Sequence, residues 1–261
     1  MKPKKLNELP AAGIQAVFSD LDGTITTNGT LLPSTYQSLC AIKAAGLRLV
    51  IVSGRPAGWA DCLMRLLPLD AMVFENGAGV ALRSGDAIDF LNLAGTSAAE
   101  PGALHQVFES LKVDYPELRL AKDQPYRLFD YAIDICEESP HLSEAAVVSI
   151  LERLDATPGV TAKLSNIHIN YWMGDYNKRA ACEFLLSKKL LGAFKQEEVV
   201  FVGDSPNDEP LFGYFDHSVG TDNVQVFFDR MKDLPKYLCS RHEGFGFEEV
   251  AERLVQSRTK S

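Results

Sequence analysis

Nowhere in this chain do the roughly 18 consecutive apolar residues of a membrane-spanning helix occur. The N-terminal stretch "MKPKKLNELPAAG" is basic at first but lacks the apolar segment of a signal peptide. Paired cysteines are also missing. The five present (Cys40, Cys62, Cys136, Cys182, Cys239) are odd in number and widely spaced, with no C-x-x-C, which points to reduced thiols and against a disulfide scaffold or a zinc site. Positive charge is scarce: 26 Lys and Arg face 35 Asp and Glu, for a formal net charge of −9. That balance speaks against a general nucleic-acid binder, which needs a basic face for phosphates. The five histidines show no metal-ligand spacing, and no internal repeat or low-complexity stretch is visible. The expectation is a soluble, cytoplasmic chain without nucleic-acid or membrane partners, whose oligomeric state the sequence leaves open.

What is present is enough to build a core: 261 residues, 46% hydrophobic and 23% charged. "AVFS" (16–19) reads as a buried strand. "PSTYQSLCAIKAAG" reads as a helix with Pro33 near its start and Gly46 at its end. "LRLVIV" (47–52), a helix over 57–67 and "AMVF" (71–74) continue the alternation, which implies βαβ units and a parallel sheet. After about residue 80 the rhythm changes. A hairpin, a helix over 99–113, an alternating strand in "YRLFDYAIDICEE", a further helix and the alternating "VTAKLSNIHINYWM" suggest a separate α+β unit. From Lys178 the βαβ rhythm returns, with a helix over 178–191, a strand over 198–204, a helix near 206–213 and a short strand at "HSVG". The expected division is a discontinuous α/β core of 1–81 and 173–261, with 82–172 inserted.

Ligands of open parallel sheets bind beyond the carboxyl ends of the strands. Asp20 and Ser53 both close predicted strands and should face one crevice. Four stretches stand at such ends in order: "DLDGT" (20–24), "VSGRP" (52–56), Lys178 opening a helix, and "GDSPND" (203–208). D-G-T alone is often only a turn, and "SGRP" alone only a helix start; the ordered set is the signal. It resembles the haloacid dehalogenase superfamily of aspartate-nucleophile phosphotransferases. The position of the insert, with "ENGA" (75–78) and "HSVGTDN" (217–223), is similar to the branch with a C2B-type cap, which includes Cof-type, sucrose-phosphate, trehalose-phosphate and mannosyl-3-phosphoglycerate phosphatases and phosphomannomutases. The resemblance implies a Rossmann-like core with a parallel sheet plus an inserted α+β C2B cap domain, and a Mg²⁺-dependent phosphatase acting on a small phosphorylated metabolite, a sugar phosphate above all.

The same resemblance assigns roles that fit the chemistry of each position. Asp20 is the expected nucleophile, forming an aspartyl-phosphate. Asp22 is the expected acid and base, with its main-chain carbonyl as a metal ligand. Asp20, Asp22, Asp204 and Asp208 form the expected magnesium site, because Mg²⁺ takes hard oxygen ligands; the ion would relieve the repulsion between Asp20 and Asp22. Ser53, Gly54, Lys178 and Asn207 are the expected phosphate contacts. On the substrate side stand Arg55 and Arg127, and with them Asp130, Asn166 and His168 from the insert. Trp59 and Trp172 are expected to pack at domain junctions. Two other functions remain open on this fold: a phosphomutase, which needs a second phosphate site in the cap, and a non-catalytic binding module, which has no need of Asp20 or Lys178.

Overall fold

The computed structural model describes residues 2–95 and 101–259, and the statements below concern these. Short runs rich in Val, Ile and Phe, buried on both sides, make the centre of the molecule: β2 (Ala16–Ser19), β3 (Arg48–Val52), β4 (Ala71–Phe74) and β10 (Val199–Gly203). Successive side chains of a strand point to opposite faces. Val17, Leu49, Ile51 and Val200 therefore enter one core with α1 (Pro33–Ala44), α2 (Ala57–Leu66) and α7 (Glu243–Thr259). Phe18, Val50, Val52 and Phe201 enter the other with α5 (Lys178–Ser187) and α6 (Glu209–Tyr214). Helices on both faces are what a parallel sheet requires.

Beside these run β11 (His217–Gly220), β12 (Tyr237–Leu238) and an edge strand that the sequence did not suggest, β1 (Lys4–Lys5). At the other edge lies the hairpin of β5 (Gly79–Ser84) and β6 (Ala87–Asn92). The order is β1-β12-β11-β10-β2-β3-β4-β5-β6, parallel as far as β4 and antiparallel beyond it. The expected boundary at residue 82 thus falls inside β5, where Leu82 pairs with Ala71 of β4; the hairpin extends the core sheet.

The insert has its own three-stranded antiparallel sheet, ordered β7 (Tyr131–Asp134), β9 (His168–Met173), β8 (Val160–Leu164). Helices α3 (Pro101–Lys112) and α4 (Glu144–Asp155) cover one face with Leu104, Phe108, Ile150 and Leu154; residues 99 and 100 of the expected helix lie outside the described residues. In β9, Ile169 and Tyr171 point into this core, while Trp172 joins Tyr176, Ala78 and Ala94 in a cluster between insert and sheet. The strand expected over "YRLFDYAIDICEE" shrinks to four residues because the N–H groups of Leu128, Phe129 and Asp130 bond the Glu75 carboxylate instead of a ladder partner. Among the described residues no helix is long and apolar enough to cross a membrane, and all five cysteines are free.

Candidate active site

The register of the sheet brings the motifs together. β2 lies between β10 and β3, with Ser19 opposite Val202 and Ile51, so Asp20 emerges flanked by Asp204 on one side and Ser53 on the other. The Asp20 N–H donates to Val202 O at 2.8 Å, tying the first turn beyond the strand to its neighbour. Gly23 turns the loop back with φ +79°, and a side chain there would strike Asp204 and Asn166. Glycine is needed for both reasons.

Lys178 starts α5, where Asn177 caps the helix through Oδ1 to the Ala180 N–H at 2.9 Å. Gly77, at φ +107°, lets the chain entering the insert pass against the Asn177 backbone. From there the Lys178 ammonium reaches Asp20 at 2.7 Å and Asp208 at 2.9 Å, all three side chains being almost fully buried. Burial opposes the charge on Lys178, but the Coulombic pull of Asp20 and Asp208 outweighs it and keeps the pKa above the ordinary lysine value. Burial pushes Asp20 up to about 7, with Lys178 pulling down and Asp208 pushing up. Asp204 is raised well above the usual carboxylate range, first by burial and then by Asp20 and Asp208.

Asp20, Asp204 and Asp208 each bring a ligand oxygen within 4.8 Å of the others. Among the described residues, Lys178 is the one cation bonded to this trio, and it serves Asp20 and Asp208 only. Asp204 accepts from the Asn223 carboxamide through Oδ2 at 3.0 Å, while its Oδ1 is buried without a partner. A buried anionic oxygen left unmatched is strongly unfavourable. Three hard carboxylates with surplus negative charge suit a divalent ion such as Mg²⁺, so the residues fit the metal that the resemblance implied. Asp208 also accepts the Asp204 N–H at 3.1 Å, which fixes the strand end carrying that ligand.

The Asp22 carboxylate is gripped on both oxygens by Arg55, Nε to Oδ2 at 2.8 Å and Nη2 to Oδ1 at 3.0 Å. The Asp22 main-chain carbonyl accepts from Asn166 of the insert at 3.0 Å. Arg55 is neither a surface residue nor a free substrate contact: it is buried, stacked 4.3 Å over the Trp59 ring, and also paired with Asp123 and Glu137. Arg127 lies away from the cavity. It is buried against Asp123, Asp130 and the Gly54 carbonyl, so its donors are engaged in holding the "SGRP" turn. Asp130 is likewise internal, bound to Arg127 and Asn170.

Asp20, Asp22, Ser53, Gly54, Arg55 and Asn207 line one cavity with Ser165, Asn166, Ile167, His168 and Asn170 of the insert. Asn207 faces it with its carboxamide oxygen held by Ser205 Oγ at 2.7 Å. The enclosed space is about 20 Å³, roughly the room of one water molecule. Two residues were not legible beforehand: Glu137 carries no motif signal, and Asp123 none either. Glu75, which opens the "ENGA" stretch, was noted without a role; its carboxylate accepts from Ala57, Leu128, Phe129 and Asp130 and so joins core to insert.

Residues 17–100 match the family model described as haloacid dehalogenase-like hydrolase. The phosphoglycolate phosphatase of Methanobrevibacter smithii is 23% identical over 243 residues, covering 93% of this chain and 99% of that one. Among solved structures, the C-terminal domain of Candida albicans trehalose-6-phosphate phosphatase superposes with a TM-score of 0.74 at 14% identity, covering 98% of each chain. A Synechocystis sucrose-phosphatase gives 0.66 at 17% identity, covering 92% of this chain and 98% of the other. The matched segment is similar to haloacid dehalogenase-like hydrolases, and over nearly its whole length the chain shares the fold of these solved phosphatases, with an inserted α+β unit.

Proposed function

We propose that the protein is a magnesium-dependent phosphatase that hydrolyses a small phosphomonoester, a sugar phosphate, through an aspartyl-phosphate intermediate. The observation that carries this reading is the buried trio Asp20, Asp204 and Asp208 with one lysine on it and an unmatched oxygen on Asp204. Bound to these oxygens, Mg²⁺ would supply charge neutralisation between nucleophile and phosphate. Asp20 attacks phosphorus from the end of β2, its free oxygen presented by the grip of Lys178 on the other. Ser53 Oγ, the Gly54 N–H, Asn207 and Lys178 receive the phosphoryl oxygens at the strand-to-helix turns. Asp22, oriented by Arg55, gives a proton to the leaving oxygen and later takes one from the water that opens the acyl phosphate.

The cavity's size adds a conformational step. A phosphate ester does not fit about 20 Å³, so the cap must lift to admit it and close again over the reaction. The connections that would bend meet where Gly77 packs against Asn177. A phosphomutase needs cap cations for a second phosphate. The cap residues lining the cavity include no lysine or arginine, which favours water as acceptor. The test is phosphate release from a panel of sugar, glycerate and nucleotide monophosphates, with and without Mg²⁺. Release from small sugar phosphates only in the presence of the metal is the expected result; no release from any ester would reject the reading.

A further inference from the structure

Arg55 is the one Lys or Arg among the described residues lining the cavity, and three carboxylates share it. Two of these are enclosed: Asp22, which takes two of its donors, and Asp123 at 3.2 Å. The third is different. Glu137, in the loop after β7, lies behind the lining residues it bonds, with its side chain 32% exposed. One of its oxygens meets Arg55 Nη2 at 2.8 Å and the other meets His168 Nε2 at 2.8 Å. It therefore pairs with both the arginine and the imidazole of the cavity wall. The His168 hydrogen bond and the charge of Arg55 together hold the Glu137 carboxyl down to about 2, against the opposing effect of burial. It is ionised throughout the physiological range.

We infer that Glu137 is the specificity-determining residue of the pocket: it masks Arg55 and His168, so the site takes phosphate esters of neutral, hydroxyl-bearing alcohols and refuses those whose alcohol carries a carboxylate. The inference rests on the phosphatase reading and deepens it. A carboxylate entering beside Glu137 and Asp22 meets like charge with no unmatched cation, and such juxtaposition is a device for excluding wrong ligands. Hydroxyl groups meet acceptors on Asp22 and both donors and acceptors on Asn166 and Asn170 in the lining, with the Glu137 carboxylate next to it on Arg55 and His168. Without the charge at 137, an Arg55 N–H and the imidazole become a two-point donor set matched to a carboxylate.

The test compares wild type with Glu137→Gln, which keeps shape and leaves the strand ends untouched, on glucose 6-phosphate and phosphoglycolate. Wild type is expected to favour glucose 6-phosphate, and the variant to move the kcat/KM ratio toward phosphoglycolate by about tenfold or more, through KM. Calorimetric binding of the same two esters to Asp20→Asn, with and without Glu137→Gln, should show the same shift without turnover. Equal use of both esters by wild type, or a ratio that Glu137→Gln does not move, overturns the inference. If no ester releases phosphate, the phosphatase reading fails by itself, and the binding ratio still decides the role of Glu137.

Discussion

The core wall and the cap wall of the cavity are built on different principles. Asp20, Asp204, Asp208 and Lys178 leave the ends of buried strands or the first turn of a helix, and each is almost wholly enclosed. Glu137, Asn166 and His168 come from the cap, and the bonds that place them run to residues 31 to 144 positions away. On the proposed reading, the core wall carries the chemistry and the cap wall the choice of substrate. This division predicts that substitutions on the two walls differ in kind as well as in size.

The largest effect is expected from Asp20→Asn, which should reduce phosphate release by about 10⁴-fold or more while leaving circular dichroism unchanged. Turnover that survives this change would erase the distinction between the walls. Next comes Lys178→Met. It strands two buried carboxylates, and urea unfolding without metal should show a loss of about 3–5 kcal/mol. A cap change such as Glu137→Gln should barely move the same midpoint. Magnesium sharpens the contrast further. At about 100 times its Kd it should stabilise the wild type by roughly 2.7 kcal/mol, read as a rise in Tm. Asp204→Asn should abolish that rise; an undiminished rise would place the metal elsewhere.

The smallest effect concerns the joint between the walls. Burial, aided by Asp130, pushes the Glu75 carboxyl up to about 7 from 4.5. The native state then binds a proton that the unfolded chain has released, so this group's stabilising contribution is complete below pH 4.5 and is lost as pH rises to about 7. Glu75→Gln should flatten that part of the stability profile. It should also weaken the bonds to Leu128, Phe129 and Asp130, lowering stability by about 1–3 kcal/mol. Limited proteolysis of the segment 124–130 would register the loosened cap, and unchanged cleavage would show that Glu75 is no joint.

How much was legible follows the same division. "DLDGT", "VSGRP", Lys178 and "GDSPND" could be placed because each is anchored to a local pattern: an apolar run, a turn residue, a helix start. Arg127 was misplaced because an arginine in an alternating stretch has no local sign of being buried, and here Asp123, Asp130 and Gly54 enclose it. That Arg55, 33 residues on, takes both oxygens of Asp22 had no local sign either. The hairpin at 79–92 was legible as a hairpin but not as part of the core sheet, since its own alternation does not reveal which strand lies next to it.

The sequence by itself determined the βαβ frame, the strand ends from which the carboxylates emerge and the order in which they come, because period-two and helical patterning act over a few residues. Only the tertiary structure decided which charges meet. The register of β2 against β10 and β3 brings Asp204 and Ser53 beside Asp20, and the packing of the cap sets Glu137 over Arg55. Ion pairing inside a protein depends on distance and burial, and neither is a property of sequence separation.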